Sequence, residues 1–239
     1  MIILVANIKG GCGKTIVSSH LAAALACQGH RTALADADRQ RSSLEWTRLR
    51  PGTAAPIAAL DWSKDLTKPP KGLDRLVIDA PAAMRKKHAF ELVGMADVIV
   101  VPVLPSVFDQ GSTLAFLARL HELKAIRKNR KPVGVLRNRV RARTRASARL
   151  ARFLGEIEYA DLGALTDRAI YNDVAAQGLS IFDLSGTRAE RLRDDWALVL
   201  GYLTPEESAP LRAAPHGERS AGRRQRAELA PPYGVSGQG

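Results

Sequence analysis

The apolar positions of this chain follow two rhythms. Short unbroken apolar runs at residues 2–7, 31–36, 73–79, 97–103 and 131–137 read as buried strands. Segments 14–28, 40–50, 112–126, 144–157, 166–177 and 187–203 have the spacing or composition of helices. A short edge strand fits 56–60, inside a loop-rich stretch marked by Pro51, Gly52, Pro56, Pro69, Pro70 and Gly72. Gly29 reads as the C-cap of the first helix, and Pro102 and Pro105 close the 97–103 run. Strands alternating with helices predict an α/β fold with a doubly wound, mostly parallel sheet flanked by helices. Beyond residue 204 the chain turns rich in Pro, Gly, Arg and Ala, so 1–204 is expected to be the domain and 205–239 a mostly disordered tail.

Between the first strand and the first helix stands Lys9-Gly10-Gly11-Cys12-Gly13-Lys14-Thr15. Strand, glycine loop and helix form the context of a phosphate-binding loop. Glycines let backbone N–H groups turn inward, and the helix adds its positive end. Lys14 is expected on the outer phosphates and Thr15 on Mg²⁺, with the backbone of residues Gly10 to Ile16 around the nucleotide. The usual first glycine is missing, and an additional lysine, Lys9, begins the loop instead.

The second run closes on Asp36-Ala37-Asp38. Acids at the carboxyl end of a parallel strand face the ligand crevice. Two residues apart in extended chain, both side chains are expected on one side, where they can organise Mg²⁺ and its water. The 73–79 run also ends in an acid, Asp79, expected to support the metal with Thr15 and Asp36.

Two cysteines, Cys12 and Cys27, fit a reducing cytoplasm and do not have zinc spacing. No run of eighteen apolar residues exists and no leader is expected, so the reading is cytoplasmic without membrane insertion. The net charge of +12 asks for an anionic partner. It is concentrated: between Glu122 and Glu156 there are twelve basic residues and no acid, so the rest of the chain balances to zero. Arg137, Arg139, Arg141, Arg143 and Arg145 alternate, which in extended chain would align them. Arg145, Arg149 and Arg152 share a helical face opposite Leu150, Phe153, Leu154 and Ile157. Arg141, Arg143, Arg145, Arg149 and Arg152 are the expected contacts to duplex DNA phosphates. Arg188, Arg191, Arg193 and the tail arginines are weaker candidates.

Taken together, these stretches resemble the ParA/MinD group of deviant-loop ATPases, and within it the short ParA partition ATPases; MipZ-type positioning ATPases are also similar. The resemblance runs through residues 7–15, 36–40, 77–81, 101–106, 136–140 and 175–180. It implies that Lys9 crosses a nucleotide-sandwich homodimer to the partner's phosphates, that Asp38 positions the attacking water, and that Asn138 reads the adenine edge. It further implies ATP and Mg²⁺ as cofactors, non-specific DNA binding on the nucleoid, and slow hydrolysis stimulated by a ParB-like adaptor or cargo protein. The expected role is plasmid or chromosome partition or cargo positioning. Two positions depart from the family pattern: Ile16 stands where Thr is frequent, and Arg39 where Pro is usual. Alternatives on the same fold are a MinD-like membrane switch, a metabolic or electron-transfer ATPase, and a tyrosine kinase. The first needs an amphipathic C-terminal helix, the second in its reductase form needs cluster cysteines, and the third a tyrosine-rich tail, where only Tyr233 occurs.

Overall fold

Strands whose side chains are apolar on both faces must be covered twice, and this requirement sets the layering. The computed structural model describes residues 1–204 except Ala83, Arg85 and Asn129; the expected tail, 205–239, lies outside the described residues. The strands are β1 (Ile2–Val5), β2 (Thr32–Asp36), β3 (Ile57–Asp61), β4 (Arg75–Asp79), β5 (Val98–Val103), β6 (Val133–Val140) and β7 (Ala160–Thr166). They form one sheet in the order β3-β2-β4-β1-β5-β6-β7, with every neighbouring pair parallel. The helices are α1 (Lys14–Cys27), α2 (Ser42–Leu49), α3 (Lys86–Met95), α4 (Val107–His121), α5 (Lys124–Arg127), α6 (Arg145–Gly155), α7 (Ile170–Ala175), α8 (Thr187–Arg193) and α9 (Ala197–Leu203).

The period-two alternation of each strand sorts its side chains between two cores. Leu4, Ile78, Ile99, Val101 and Val135 face Leu92, Phe116, Leu120, Leu150 and Leu154 of α3, α4 and α6. Ile3, Val5, Val77, Val100 and Leu136 face Leu21, Tyr171, Leu192, Trp196 and Val199 on the α1 side. The sheet is therefore doubly wound. Chain order reverses around β1, which lies between β4 and β5. That reversal opens the crevice at the carboxyl end of β1, where the glycine loop begins.

Four expectations change. Residues 160–166 form a strand where none was expected, because Gly163 at φ 90° and register shifts against β6 break the alternation that marks strands. Residues 86–95 form α3, whose buried apolar contribution reduces to Leu92 and Val93. The 112–126 helix starts at Val107 and divides into α4 and α5. The 187–203 helix is interrupted by a 3₁₀ turn at Asp194–Trp196, where Asp195 accepts the Thr166 N–H at 3.1 Å and fully buried Trp196 donates to the Tyr171 hydroxyl at 3.2 Å.

Around Trp196 lies an aromatic cluster. His20 of α1 stacks on Trp196 at 5.4 Å between centroids and meets Tyr171 edge-on at 5.2 Å. Its Nδ1 donates to the Ile16 carbonyl at 2.9 Å, and Nε2 has no partner among the described residues. Burial therefore lowers its pKa to about 4, since an imidazolium would bury an unmatched N–H. The unfolded chain takes up this proton near 6.5 and the folded chain only near 4. The contribution of His20 is thus complete above about pH 6.5 and is lost as pH falls towards 4, by roughly 3 kcal/mol. Denaturant titrations at pH 7.5 and 4.5 should show His20→Phe losing less stability on acidification than the wild type. An equal loss in both would refute this account.

Candidate functional site

The loop after β1 is shaped by its glycines. Gly11 and Gly13 have φ of 75° and 88°, in the left-handed region that lets successive N–H groups face a common point. At Gly13, a Cβ would fall 2.2 Å from Asn138 Nδ2, so a side chain there requires the Asn138 amide to move. Helix α1 starts at the next residue. Lys14 is buried, and its ammonium donates to the Lys9 carbonyl at 3.2 Å. The Cys12 thiol donates to the same carbonyl at 3.3 Å; burial pushes its pKa up, which leaves it a neutral packing group. The Lys9 side chain has no hydrogen bond or ion pair among the described residues, while its N–H donates to Asn7 Oδ1 at 3.2 Å.

Three expected acids lie beside the loop, with distinct duties. Asp79, at the end of β4, is buried with the Thr15 and Ser18 hydroxyls facing it; Ser18 Oγ is 3.3 Å away. Burial holds its pKa up near 7, the Thr15 hydroxyl opposes this, and the neighbouring Asp36 carboxylate raises it further. Asp36 Oδ1 accepts the Asp38 N–H at 2.9 Å, and Oδ2 accepts the Ser43 and Leu44 N–H groups at 2.8 and 3.1 Å. It therefore caps α2. The extended alignment expected for Asp36 and Asp38 does not form, because β2 ends at Asp36 and the chain folds back onto that carboxylate. Asp38 lies on the following turn, where its own carboxylate accepts the Gln40 N–H at 3.0 Å.

Among the described residues no three His, Cys, Asp or Glu side chains gather to hold a metal by themselves. The donor set is nevertheless suited to Mg²⁺, which prefers one or two protein oxygens together with phosphates and water. Asp79 supplies a buried carboxylate that a cation would relieve of its proton, and Thr15 supplies a hydroxyl. Asp36 has three of its lone pairs occupied by N–H groups, which leaves one position for a cation or its bound water.

Asn138 lies inside β6, two residues before its end, rather than after the strand. Its Nδ2 donates to the Cys12 carbonyl at 2.8 Å and its Oδ1 accepts the Arg139 N–H at 3.0 Å. One amide proton and one lone pair remain. With Gly11, Gly13, Ile16, Leu165, Asp167, Arg168, Tyr171 and others it lines a cleft continuous with the loop. Nothing in the sequence marked residues 165–172 for this cleft, because the strand that delivers them was hidden by its own irregularity.

The arginine stripe divides in two. Arg137 pairs with Asp161 at 3.0 Å, and Arg139 and Arg141 share Asp167 at 3.1 and 2.9 Å. These acids come from β7 and the residue after it. The expected one-sided row also fails geometrically, since Arg139 and Arg143 have positive φ of 53° and 61° and β6 stops at Val140. Lys131 is engaged as well: its ammonium caps α3 through the Val93, Gly94 and Ala96 carbonyls at 2.6–2.9 Å. Arg145, Arg149 and Arg152 do share the exposed face of α6, while Leu150 and Leu154 are buried.

Residues 3–180 match the family described as CbiA, the CobQ/CobB/MinD/ParA nucleotide binding domain. The chain belongs to this family. This ParA/MinD-type domain is 30% identical over 212 residues to "Maintenance of carboxysome distribution protein A" of Halothiobacillus neapolitanus, spanning 84% of this chain and 95% of that relative. In fold it resembles the solved apo McdA of Cyanothece, with a TM-score of 0.67, 17% identity and coverage of 84% and 99% of the two chains. A plasmid partition protein of Borrelia burgdorferi bound to AMPPNP aligns with a TM-score of 0.65, 16% identity and coverage of 84% and 98%.

One further residue of this ParA/MinD-type domain escaped sequence reasoning. Asp109, in the first turn of α4, is buried near Cys12, and its Oδ1 has no partner among the described residues. It sits in an ordinary helix-start pattern, which gave no separate signal. The close packing of Gly13 on Asn138 has a measurable consequence. Gly13→Ala should destabilise the domain by about 2 kcal/mol or more, through the contact and through the strain of a positive φ. Adding Asn138→Ala should recover the contact part and leave about 1 kcal/mol of strain. Denaturant midpoints of the four variants in this cycle test it, and strict additivity would disprove the contact.

Proposed function

We propose that this domain is a Mg²⁺-dependent ATPase that closes into a homodimer around ATP, holds duplex DNA without sequence preference, and uses hydrolysis to distribute a cargo over the nucleoid in the cytoplasm. The observation that carries the reading is the convergence of Lys14, Thr15 and Asp79 at the glycine loop, with Asp38 on the adjoining turn and a second lysine opening the loop. Mg²⁺, which Thr15 and Asp79 would hold, would supply positive charge against the phosphates. Lys14 exchanges the Lys9 carbonyl for the phosphates. Asp79 releases its proton and acts with Thr15 at the metal. Asp36 keeps its helix cap and so fixes the turn from which Asp38 orients the attacking water. Lys9 is directed to the partner subunit's phosphates. Asn138 offers its remaining donor and acceptor to the adenine edge.

The DNA surface proposed here is the α6 face of Arg145, Arg149 and Arg152 with Arg143 beside it; Arg141 contributes less, since Asp167 already neutralises it. Each subunit supplies a modest patch, and pairing of subunits doubles the number of phosphates engaged. The relative in Halothiobacillus is named for maintenance of carboxysome distribution, which makes a large protein compartment the favoured cargo over a plasmid or chromosome locus. A cargo-bound protein, ParB-like in role, is the expected stimulator of hydrolysis.

Lys14→Ala should reduce ATP turnover by about 100-fold or more. Asp38→Asn should retain ATP binding and dimerisation while turnover falls, and Lys9→Ala should bind ATP as a monomer. Light scattering and phosphate-release assays separate these outcomes; a Lys9→Ala protein that dimerises normally would refute the cross-subunit role. Charge reversal of Arg145, Arg149 and Arg152 together should weaken duplex binding about tenfold or more at moderate salt. Unchanged binding would move the DNA surface elsewhere.

A further inference from the structure

Arg39, which stands where the family usually has proline, is not used by the mechanism above. It belongs to a cationic notch. Arg39, Arg41, Ser63 and Lys64 surround an open cavity at the carboxyl end of β2 and β3. The framework of the notch is hydrogen-bonded: Arg41 pairs with Asp61 at 3.0 Å and donates from Nε to Ser63 Oγ at 3.1 Å, and Ser63 Oγ donates to Asp61 at 2.6 Å. Asp61 is in register with Asp36. Arg39 and Lys64 are exposed and have no ion-pair or hydrogen-bond partner among the described residues. The cavity lining itself carries three cations and no acid; Asp61 pairs with Arg41, and Asp38 and Asp65 are the sequence neighbours of Arg39 and Lys64.

The place of the notch matters more than its charge. Arg39 and Arg41 lie on the turn that carries Asp38, and that turn is closed by the Arg41 N–H bonding the Asp38 carbonyl at 3.1 Å. Whatever seats against Arg39 acts directly on the segment that presents Asp38. The notch is also remote from the arginines of α6. It sits at the β2–β3 edge, while α6 follows β6, four strands across the sheet from β2, which is about 19 Å. A concave surface lined by Arg39, Arg41 and Lys64 can take one or two carboxylates in charge-assisted hydrogen bonds.

We propose that this notch is the docking point for an acidic segment of a protein partner, an Asp/Glu-rich peptide whose carboxylates pair with Arg39 and Lys64, and that its seating changes the rate of ATP turnover through the Asp38 turn. The second half rests on the ATPase reading given above; the docking itself does not.

The test uses a fluorescent ten-residue oligoglutamate as the probe and the full chain. Without nucleotide, anisotropy should show binding to the wild type that weakens about tenfold or more in Arg39→Ser/Lys64→Ser and stays within about twofold in Arg149→Glu/Arg152→Glu. Both pairs are exposed, so folding is preserved, and far-UV circular dichroism checks it. Equal binding by wild type and Arg39→Ser/Lys64→Ser overturns the site. So does a duplex oligonucleotide whose affinity, rather than that of the peptide, falls in Arg39→Ser/Lys64→Ser, because the notch would then serve nucleic acid. With ATP and Mg²⁺, saturating peptide should shift turnover of the wild type and not of Arg39→Ser/Lys64→Ser. Peptide that binds the notch while an active wild type turns over unchanged overturns the link to Asp38. A wild type with no ATP turnover at all refutes the ATPase reading, while the nucleotide-free binding result still decides the docking.

Discussion

The Asp36 carboxylate is the interaction on which the site depends. It is buried at the end of β2 and accepts three backbone N–H groups, one from the Asp38 turn and two from the first turn of α2. A carboxylate at a helix start satisfies donors that have no partner within the helix and offsets the positive end of its dipole. Here the same bonds tie a sheet, a turn and a helix together beside Asp79, whose carboxyl feels the Asp36 charge. The far end of α2 is fastened as firmly. Arg50 and Asp183 form a buried bidentate pair, and Trp46 donates to the Leu179 carbonyl. Gly178 approaches so closely that a Cβ would lie 2.3 Å from the Arg50 nitrogen. Asp38 is therefore presented from a short, doubly anchored segment, which would suit the water-orienting role proposed for it.

Much of this was legible in the chain, for identifiable reasons. Buried parallel strands carry apolar residues without interruption, so β1, β2, β4 and β5 stand out, and the glycine loop follows directly. The carboxylates at strand ends were visible because parallel sheets place them at the crevice. Legibility failed where one residue depends on another far along the chain. The capping role of Asp36 requires knowing that β2 stops there and the chain reverses. The strand β7 is marked by Leu162 and Leu165, three apart across Gly163, which is neither a helical stripe nor a strand alternation.

Charge was the most misleading part of the linear reading. Between Glu122 and Glu156 every charged residue is basic, yet Asp161 of β7 and Asp167 just after it pair with three of them, two arginines sharing one carboxylate. Lys131 is spent on helix carbonyls. A run of like charge in sequence is thus a weaker statement about surface potential than it looks, because a parallel neighbour can deliver the counter-ions. Among the described residues, exposed cations without an ion pair include Arg145, Arg149 and Arg152 of α6, and Arg39 with Lys64 at the other side of the sheet.

The place of β1 in the sheet has a consequence for how the protein comes into being. Ile2 pairs with Leu76, and Ile3 with Val98. β1 is therefore made about seventy residues before its first neighbour, β4, and about ninety before β5, and loops of that length must close before the central ladder repays them. Until then the apolar strand and the glycine loop behind it are bare. A newly made chain has its phosphate-binding sequence from the start, yet it acquires a phosphate-binding site only when β4 and β5 arrive to clasp β1 from either side. Synthesis thus delays the site until the molecule that must control it is assembled.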